Sequence, residues 1–150
     1  MNVDQIQGEL HLLDELSSLA EFQNLTFAIN TANGWYEDIE SRTLGDDCML
    51  LVSEASELFE EHRNGHRPTE VYYTHDKNCP NIPGQKLAGC EQGIVECCIP
   101  KPEGIPTEAA DLLIRLLDFC KRRGINLAAE TKDKLSYNLT RGYRHGGKVI

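Results

Sequence analysis

Acidic residues recur at helical spacing in the stretch LLVSEASELFEEHR, residues 50–63 of this 150-residue chain. Glu54, Glu57 and Glu61 follow one another at intervals of three and four residues. At about 100° per residue, these intervals place the three carboxylates along one stripe of a helix, beside its apolar face. Carboxylates beside a core are candidates for metal binding or catalysis, although an acidic helix edge is often only a solvated face.

A second predicted helix, residues 107–123, carries Glu108 and Asp111 with an i, i+3 spacing like that of Glu54 and Glu57. Apolar residues take its other side: Leu112, Leu113, Leu116 and Phe119. If the two acidic edges face each other, four carboxylates converge, and their repulsion calls for a bound cation. Oxygen ligands without sulfur or imidazole favour Mg²⁺ or Mn²⁺ over zinc.

The whole composition is that of one globular domain, residues 1–150, with 40% hydrophobic and 26% charged residues. The formal charge of -9 argues against general nucleic-acid binding and against a membrane-surface role. The charge is uneven, since residues 121–150 hold eight Lys/Arg and only two acids. No signal peptide and no run long enough to span a bilayer is evident, so we expect a cytoplasmic protein.

Further helices are predicted in residues 4–33, as one or two helices, and in residues 125–141. Cys48 and Cys120 fall within helical patterns and are expected to be buried, reduced thiols. Asp46 or Asp47 is expected to cap the first acidic helix.

A long connection rich in Gly, Pro and Cys, about residues 65–106, separates the two acidic helices. Residues 70–74 and 93–99 have the composition of short strands and are predicted to pair as a hairpin. Alternatively, a histidine and four cysteines of this insertion gather a zinc ion: His75, Cys79, Cys90, Cys97 and Cys98.

Aromatic and basic residues outside the acidic stretches suit a polyphosphate ligand. Trp35 lies in a predicted loop, where it either stacks on a base or plugs the end of a helical bundle. Lys134, Asn138 and Arg141 share one helical stripe, and Arg144 and Lys148 follow among glycines; a merely solubilising basic end is the alternative. The chain has no phosphate-binding P-loop motif and no credible Ser/His/Asp set.

Taken in order, these motifs resemble the MazG-like members of the all-α nucleoside triphosphate pyrophosphohydrolases. The resemblance rests on Gly34-Trp35, on SEASE (53–57), on EAAD (108–111) followed by IRLLD (114–118), and on KLSYNLTRGYRHGGK (134–148). It implies an all-α fold, a four- to five-helix bundle with the Cys/Pro/Gly-rich insertion between its two metal-binding helices. It also implies a homodimer or homotetramer.

The same resemblance implies magnesium ligands and substrate contacts, with Mn²⁺ as a substitute metal. The ligands are Glu54, Glu57, Glu108 and Asp111, and the substrate contacts are Trp35, Lys134, Asn138, Arg141, Arg144 and Lys148. The implied reaction is hydrolysis of a nucleoside triphosphate to the monophosphate and pyrophosphate. Ser53 departs from the family's E-E-x-x-E pattern, so Glu61 becomes the candidate general base, and a non-catalytic nucleotide-binding or regulatory protein is the alternative.

Overall fold

A computed structural model describes residues 18–37, 41–75 and 100–139 of the chain. Within these residues it contains four helices and one two-stranded sheet. The helices are α1 (Leu19–Ala32), α2 (Leu44–Arg63), α3 (Ile105–Arg122) and α4 (Leu127–Leu139). The strands are β1 (Tyr72–Thr74) and β2 (Lys101–Glu103). The mostly helical architecture that the sequence predicts is therefore confirmed at this coarse level.

The chain divides into two compact units, each described below by itself. The helical unit comprises Met1–Cys48 and Ile114–Ile150, and the hairpin unit comprises Met49–Leu113. Helices α2 and α3 contribute residues to both units. The prediction of a single domain over residues 1–150 stays a prediction.

Both α1 and α2 begin with a reciprocal cap that satisfies backbone N–H groups of the first turn. At α1, the Ser18 hydroxyl accepts a hydrogen bond from the Glu21 N–H, and the Glu21 carboxylate accepts one from the Ser18 N–H. At α2, Thr43 and Asp46 make the same exchange. The prediction that Asp46 or Asp47 is the cap is thus wrong, because Thr43 occupies that position and Asp46 reciprocates from the first turn.

The two strands of the hairpin unit pair antiparallel, with Tyr72 opposite Glu103 and Thr74 opposite Lys101. The first strand lies within the predicted residues 70–74, but its observed partner is β2, and residues 93–99 lie outside the described part of the chain. Gly104 links β2 directly to α3 at a φ of 110°. A Cβ at this position would lie 2.4 Å from the Glu70 carbonyl oxygen, so only glycine fits the link between hairpin and helix.

The described core of the helical unit centres on Leu117 and Cys120 of α3, which are 1% and 3% exposed. Helix α1 packs on α4, and the buried Gln23 side chain donates a hydrogen bond of 2.9 Å from its Nε2 to the Ile125 carbonyl oxygen. This bond joins α1 to the turn between α3 and α4. Burial of Cys120 is confirmed, whereas the expected burial of Cys48 is wrong, since Cys48 is exposed.

Several apolar residues of the helices are exposed, among them Leu113, which periodicity assigns to the apolar side of α3. Phe59 is 56% exposed, Leu113 is 47% exposed and Leu135 is 59% exposed. Periodicity identifies the apolar face of a helix, but it does not say which neighbour covers that face. No helix in residues 18–37, 41–75 or 100–139 is both long enough and apolar enough to cross a lipid bilayer.

A buried ionic network organises the helical unit around Asp47, whose side chain is 1% exposed. The Asp47 carboxylate accepts hydrogen bonds from Arg122 Nη2 at 2.5 Å and from the Nε and Nη2 groups of Arg123, and Arg42 lies 3.6 Å away. Arg122 also donates from Nε to Asp118 at 3.0 Å. Burial acts to raise the pKa of Asp47, but the hydrogen bonds from Arg122 and Arg123 outweigh it and hold that pKa below its usual value.

We expect Asp47→Asn to lower the free energy of unfolding at pH 7 by roughly 3 kcal/mol, because it leaves buried guanidinium groups without their carboxylate. A carboxylate whose pKa is lower in the folded state stabilises the fold fully at pH values above its unfolded-state pKa, about 3.9. That stabilisation is lost as the pH falls through the folded-state pKa. The difference from wild type should therefore be full at pH 7 and shrink below pH 4. Urea denaturation at both pH values measures it.

Asp46→Asn is the matched control, because Asp46 is the exposed neighbour of Asp47 and has the same charge. It should destabilise the protein less than Asp47→Asn does. Equal urea midpoints for Asp47→Asn and wild type at pH 7 would contradict a stabilising network.

Candidate metal centre

Three glutamates of the hairpin unit converge: Glu54 and Glu57 from α2, and Glu108 from the first turn of α3. One carboxylate oxygen from each lies within 4.8 Å of the other two. Glu54 and Glu57 share a helix face because they are three residues apart. Gly104 permits α3 to begin immediately after β2, which puts Glu108 one turn into the helix.

The cluster is enclosed on one side and open on the other. Glu54 is 7% exposed and Glu108 is 4% exposed, while Glu57 is exposed. Carboxylates removed from water to this extent are costly unless a cation or hydrogen-bond donors compensate them. An exposed third ligand leaves a side from which a metal ion and a second ligand can approach.

The electrostatics of Glu108 reflect this crowding. Burial raises the pKa of Glu108 above its usual value, and the negative charges of Asp111 and Glu57 raise it further, while the Lys101 ammonium opposes them. The carboxylate form of Glu108 is therefore disfavoured in the protein alone. A divalent cation among the three oxygens would reverse that preference.

Asp111 does not join the three-oxygen group, although the sequence predicts four converging ligands. It is half-buried one turn beyond Glu108 on α3, and its charge acts on both Glu108 and Lys101. The structure thus brings three predicted ligands together and places the fourth beside them.

The β-hairpin supplies charged groups that sequence reasoning missed. Lys101 Nζ lies 2.9 Å from a Glu103 carboxylate oxygen. The hydrogen bond to Glu103 raises the pKa of Lys101, and the charges of Glu108 and Asp111 act in the same direction. This lysine is a cation that β2 presents to the acidic residues at the start of α3, and helical periodicity does not reveal it.

Glu61, the candidate general base, is held by two residues outside its own helix. The Tyr72 hydroxyl donates to the Glu61 carboxylate at 3.1 Å, and His66 Nε2 lies 3.8 Å from it. The His66 and Tyr72 rings stack with their centroids 4.7 Å apart. Burial raises the pKa of Tyr72, and the neighbouring Glu61 raises it further, so this hydroxyl remains a hydrogen-bond donor at neutral pH.

The predicted substrate contacts belong to the helical unit. Trp35 lies in the turn after α1 and is 55% exposed, with the Arg115 guanidinium 5.5 Å from its ring centroid. Lys134 is exposed and lies 5.5 Å from the Tyr137 ring centroid. The Asn138 Oδ1 atom is buried and accepts no hydrogen bond within the described part of the chain.

Most of the remaining predicted site residues lie outside the part of the chain that the structure describes. Arg141, Arg144 and Lys148 lie outside the described residues, as do the four cysteines of the proposed zinc alternative, Cys79, Cys90, Cys97 and Cys98. His75 is described and follows β1.

Comparison with known proteins adds no relative: no family model matches this chain, and neither a curated protein nor a solved structure matches it.

The crowding of carboxylates generates a prediction for the metal-free protein. In EDTA, Glu108→Gln should raise the melting temperature at pH 7, because it removes a buried charge that is disfavoured there. The pKa of Glu108 is higher in the folded protein than in the unfolded chain. Wild type therefore loses stability as the pH rises from the unfolded-state pKa of this residue through its folded-state pKa. The gain should therefore vanish near pH 3.5, where the carboxyl is protonated in both states.

Calorimetry of wild type and variant at the two pH values measures this difference. Glu60→Gln is the control, since Glu60 is exposed on α2 and pairs only with the exposed Arg63 among the described residues. A lower melting temperature for Glu108→Gln at pH 7 would show that the Glu108 carboxylate stabilises the metal-free fold.

Proposed function

We propose that this protein is a metal-dependent hydrolase that cleaves nucleoside triphosphates to the monophosphate and pyrophosphate. The observation that carries the proposal is the convergence of Glu54, Glu57 and Glu108. Mg²⁺ is the proposed cofactor, with Mn²⁺ as a substitute, because the ligands are all carboxylate oxygens. Asp111, one turn from Glu108, is the proposed fourth ligand.

The choice of substrate and of the bond cleaved comes from the resemblance to MazG-like pyrophosphohydrolases. The acidic pairs of the SEASE and EAAD motifs are the ligands in that resemblance, and two of them, Glu54 and Glu108, are nearly inaccessible to solvent. Trp35, Lys134, Asn138, Arg141, Arg144 and Lys148 stay the predicted contacts for base, sugar and phosphates.

Chemistry at such a centre requires charge neutralisation and proton removal. The bound metal would polarise a phosphoryl oxygen and acidify a coordinated water. Glu61 is the proposed general base, and the Tyr72 hydroxyl fixes its orientation through their hydrogen bond. Lys101, already near the acidic residues, is a candidate to offset charge on the departing pyrophosphate.

Self-association is part of the same proposal. Met49, Val52 and Phe59 lie on one face of α2 and are 63%, 52% and 56% exposed. Apolar side chains in this number along one helix face are typical of a surface that another chain covers. A homodimer or homotetramer is the proposed assembly.

The central test is pyrophosphate release from a panel of nucleoside triphosphates with the purified full chain. We expect turnover with Mg²⁺, none in excess EDTA, and a loss of at least tenfold in Glu54→Gln, Glu57→Gln or Glu108→Gln, because each variant removes a proposed ligand. Glu60→Gln should retain wild-type turnover.

Two outcomes would contradict the proposal in different ways. Undiminished turnover in EDTA would exclude a metal mechanism. Triphosphate binding without pyrophosphate release would favour the alternative, a non-catalytic nucleotide-binding or regulatory protein.

The role of Tyr72 gives a second prediction. Tyr72→Phe should lower kcat about tenfold, because Glu61 loses the hydrogen bond that orients it. Mg²⁺ affinity should stay at the wild-type value, since Tyr72 is not a ligand. Tyr73→Phe is the matched control, as Tyr73 is adjacent and 64% exposed. A kcat of Tyr72→Phe equal to that of Tyr73→Phe and wild type would show that the Tyr72 hydrogen bond does not orient the general base.

A further inference from the structure

A second chemically distinctive feature lies wholly within the helical unit. A cavity of about 440 Å³ is lined by two aromatic residues and four basic residues: Phe27, Tyr36, Arg42, Lys121, Arg122 and Arg123. Its volume falls within the range of small-molecule sites, about 300–1,000 Å³. None of these lining residues, all in the described part of the chain, is an acid, and none is Glu54, Glu57 or Glu108.

The cations of this cavity are only partly neutralised. Asp47 and Asp118, whose side chains are 1% and 4% exposed, are the carboxylates paired with its arginines. Among the described residues, four lining cations and these two carboxylates leave a formal excess of two positive charges. In a protein of net charge -9, this local excess favours a dianionic ligand.

The buried carboxylates also fix the orientation of the guanidinium groups. Arg122 donates from Nε to Asp118 and from Nη2 to Asp47, and Arg123 donates from Nε and Nη2 to Asp47. These bonds to Asp47 and Asp118 engage the Nε and Nη2 groups of both arginines and not their Nη1 groups. Guanidinium donors held in place in this way suit the oxygens of a phosphate, which accept planar, paired hydrogen bonds.

The aromatic residues add a second recognition element. The Phe27 and Tyr36 rings stack with their centroids 5.2 Å apart and an angle of 22° between them. The Tyr36 hydroxyl donates to Asp118, which anchors its ring, and the Arg122 guanidinium lies 5.8 Å from the centre of that ring. Rings held by such contacts offer a rigid apolar surface to a planar group of a ligand.

We propose that this cavity binds a phosphate monoester attached to an aromatic or heteroaromatic ring, the chemical class to which nucleoside monophosphates belong. The phosphate contacts Lys121, Arg122 and Arg123, and the ring packs against Phe27 and Tyr36.

Calorimetric titration of the full chain with the ligand tests the proposal. EDTA in the buffer removes divalent cations, so that metal-dependent binding does not contribute. Adenosine monophosphate is the probe, and inorganic phosphate and adenosine are titrated separately. We expect saturable 1:1 binding of the monophosphate, at least tenfold tighter than of either fragment. Affinity should fall steeply with salt, as expected for charged partners.

Two variants separate the phosphate and ring contributions. Lys121→Gln should weaken monophosphate binding about tenfold, because it removes one charge-assisted contact. Phe27→Leu should weaken monophosphate binding about fivefold, because it removes one of the stacked rings. The affinity for inorganic phosphate should stay unchanged. Lys132→Gln, an exposed lysine on α4, is the charge-matched control, and melting temperatures verify that each variant is folded.

No saturable binding at millimolar monophosphate would overturn the proposal, and so would equal affinities for the monophosphate and inorganic phosphate. Equal weakening in Lys121→Gln and Lys132→Gln would also overturn it, by showing nonspecific attraction. Because the titration contains EDTA and measures binding alone, its result is independent of pyrophosphate release. Glu108→Gln should bind the monophosphate as wild type does.

Discussion

The withdrawal of carboxylates from water is the constraint on which the hairpin unit depends. Glu54 and Glu108 are almost fully buried, and their oxygens lie within 4.8 Å of each other and of Glu57. The arrangement requires α3 to start at a fixed point, which the short strand pairing and the glycine at position 104 provide. Burial and the neighbouring acids raise the pKa of Glu108. A cation that satisfies these oxygens would therefore stabilise the fold and create the proposed reactive centre together.

The helical unit handles a buried carboxylate differently. Asp47 is as inaccessible as Glu108, yet hydrogen bonds from Arg122 and Arg123 lower its pKa. Its charge is therefore compensated within the chain, whereas the pKa of Glu108 is raised even though the Lys101 ammonium acts on it. This contrast distinguishes an acid with a stabilising role from acids suited to a metal. Among the described residues, three arginines share the two carboxylates of Asp47 and Asp118, so a net positive charge remains beside the cavity that these arginines line.

The sequence predicts the helices well and the contacts between distant segments poorly. Three- and four-residue spacing locates residues 50–63 and 107–123, found as Leu44–Arg63 and Ile105–Arg122. The same spacing finds the acids, because those within a helix are close in sequence. Lys101 and Tyr72 lie in short strands, and helical spacing does not tell which acids of α2 and α3 a strand residue approaches. Cys48 was assigned to the core because its helical pattern suggested burial, and the covering neighbour of a helix face is not a local property.

We propose that the cluster of Glu54, Glu57 and Glu108 binds a divalent cation. Titration with Mn²⁺, followed by the electron paramagnetic resonance signal of the free ion, tests it most directly because it needs neither substrate nor turnover. We expect one saturable site per chain, from which Mg²⁺ displaces Mn²⁺ and whose affinity falls at least tenfold in Glu54→Gln and in Glu108→Gln. Mn²⁺ binding that is equally tight in wild type and both variants, or absent at millimolar concentration, would contradict it.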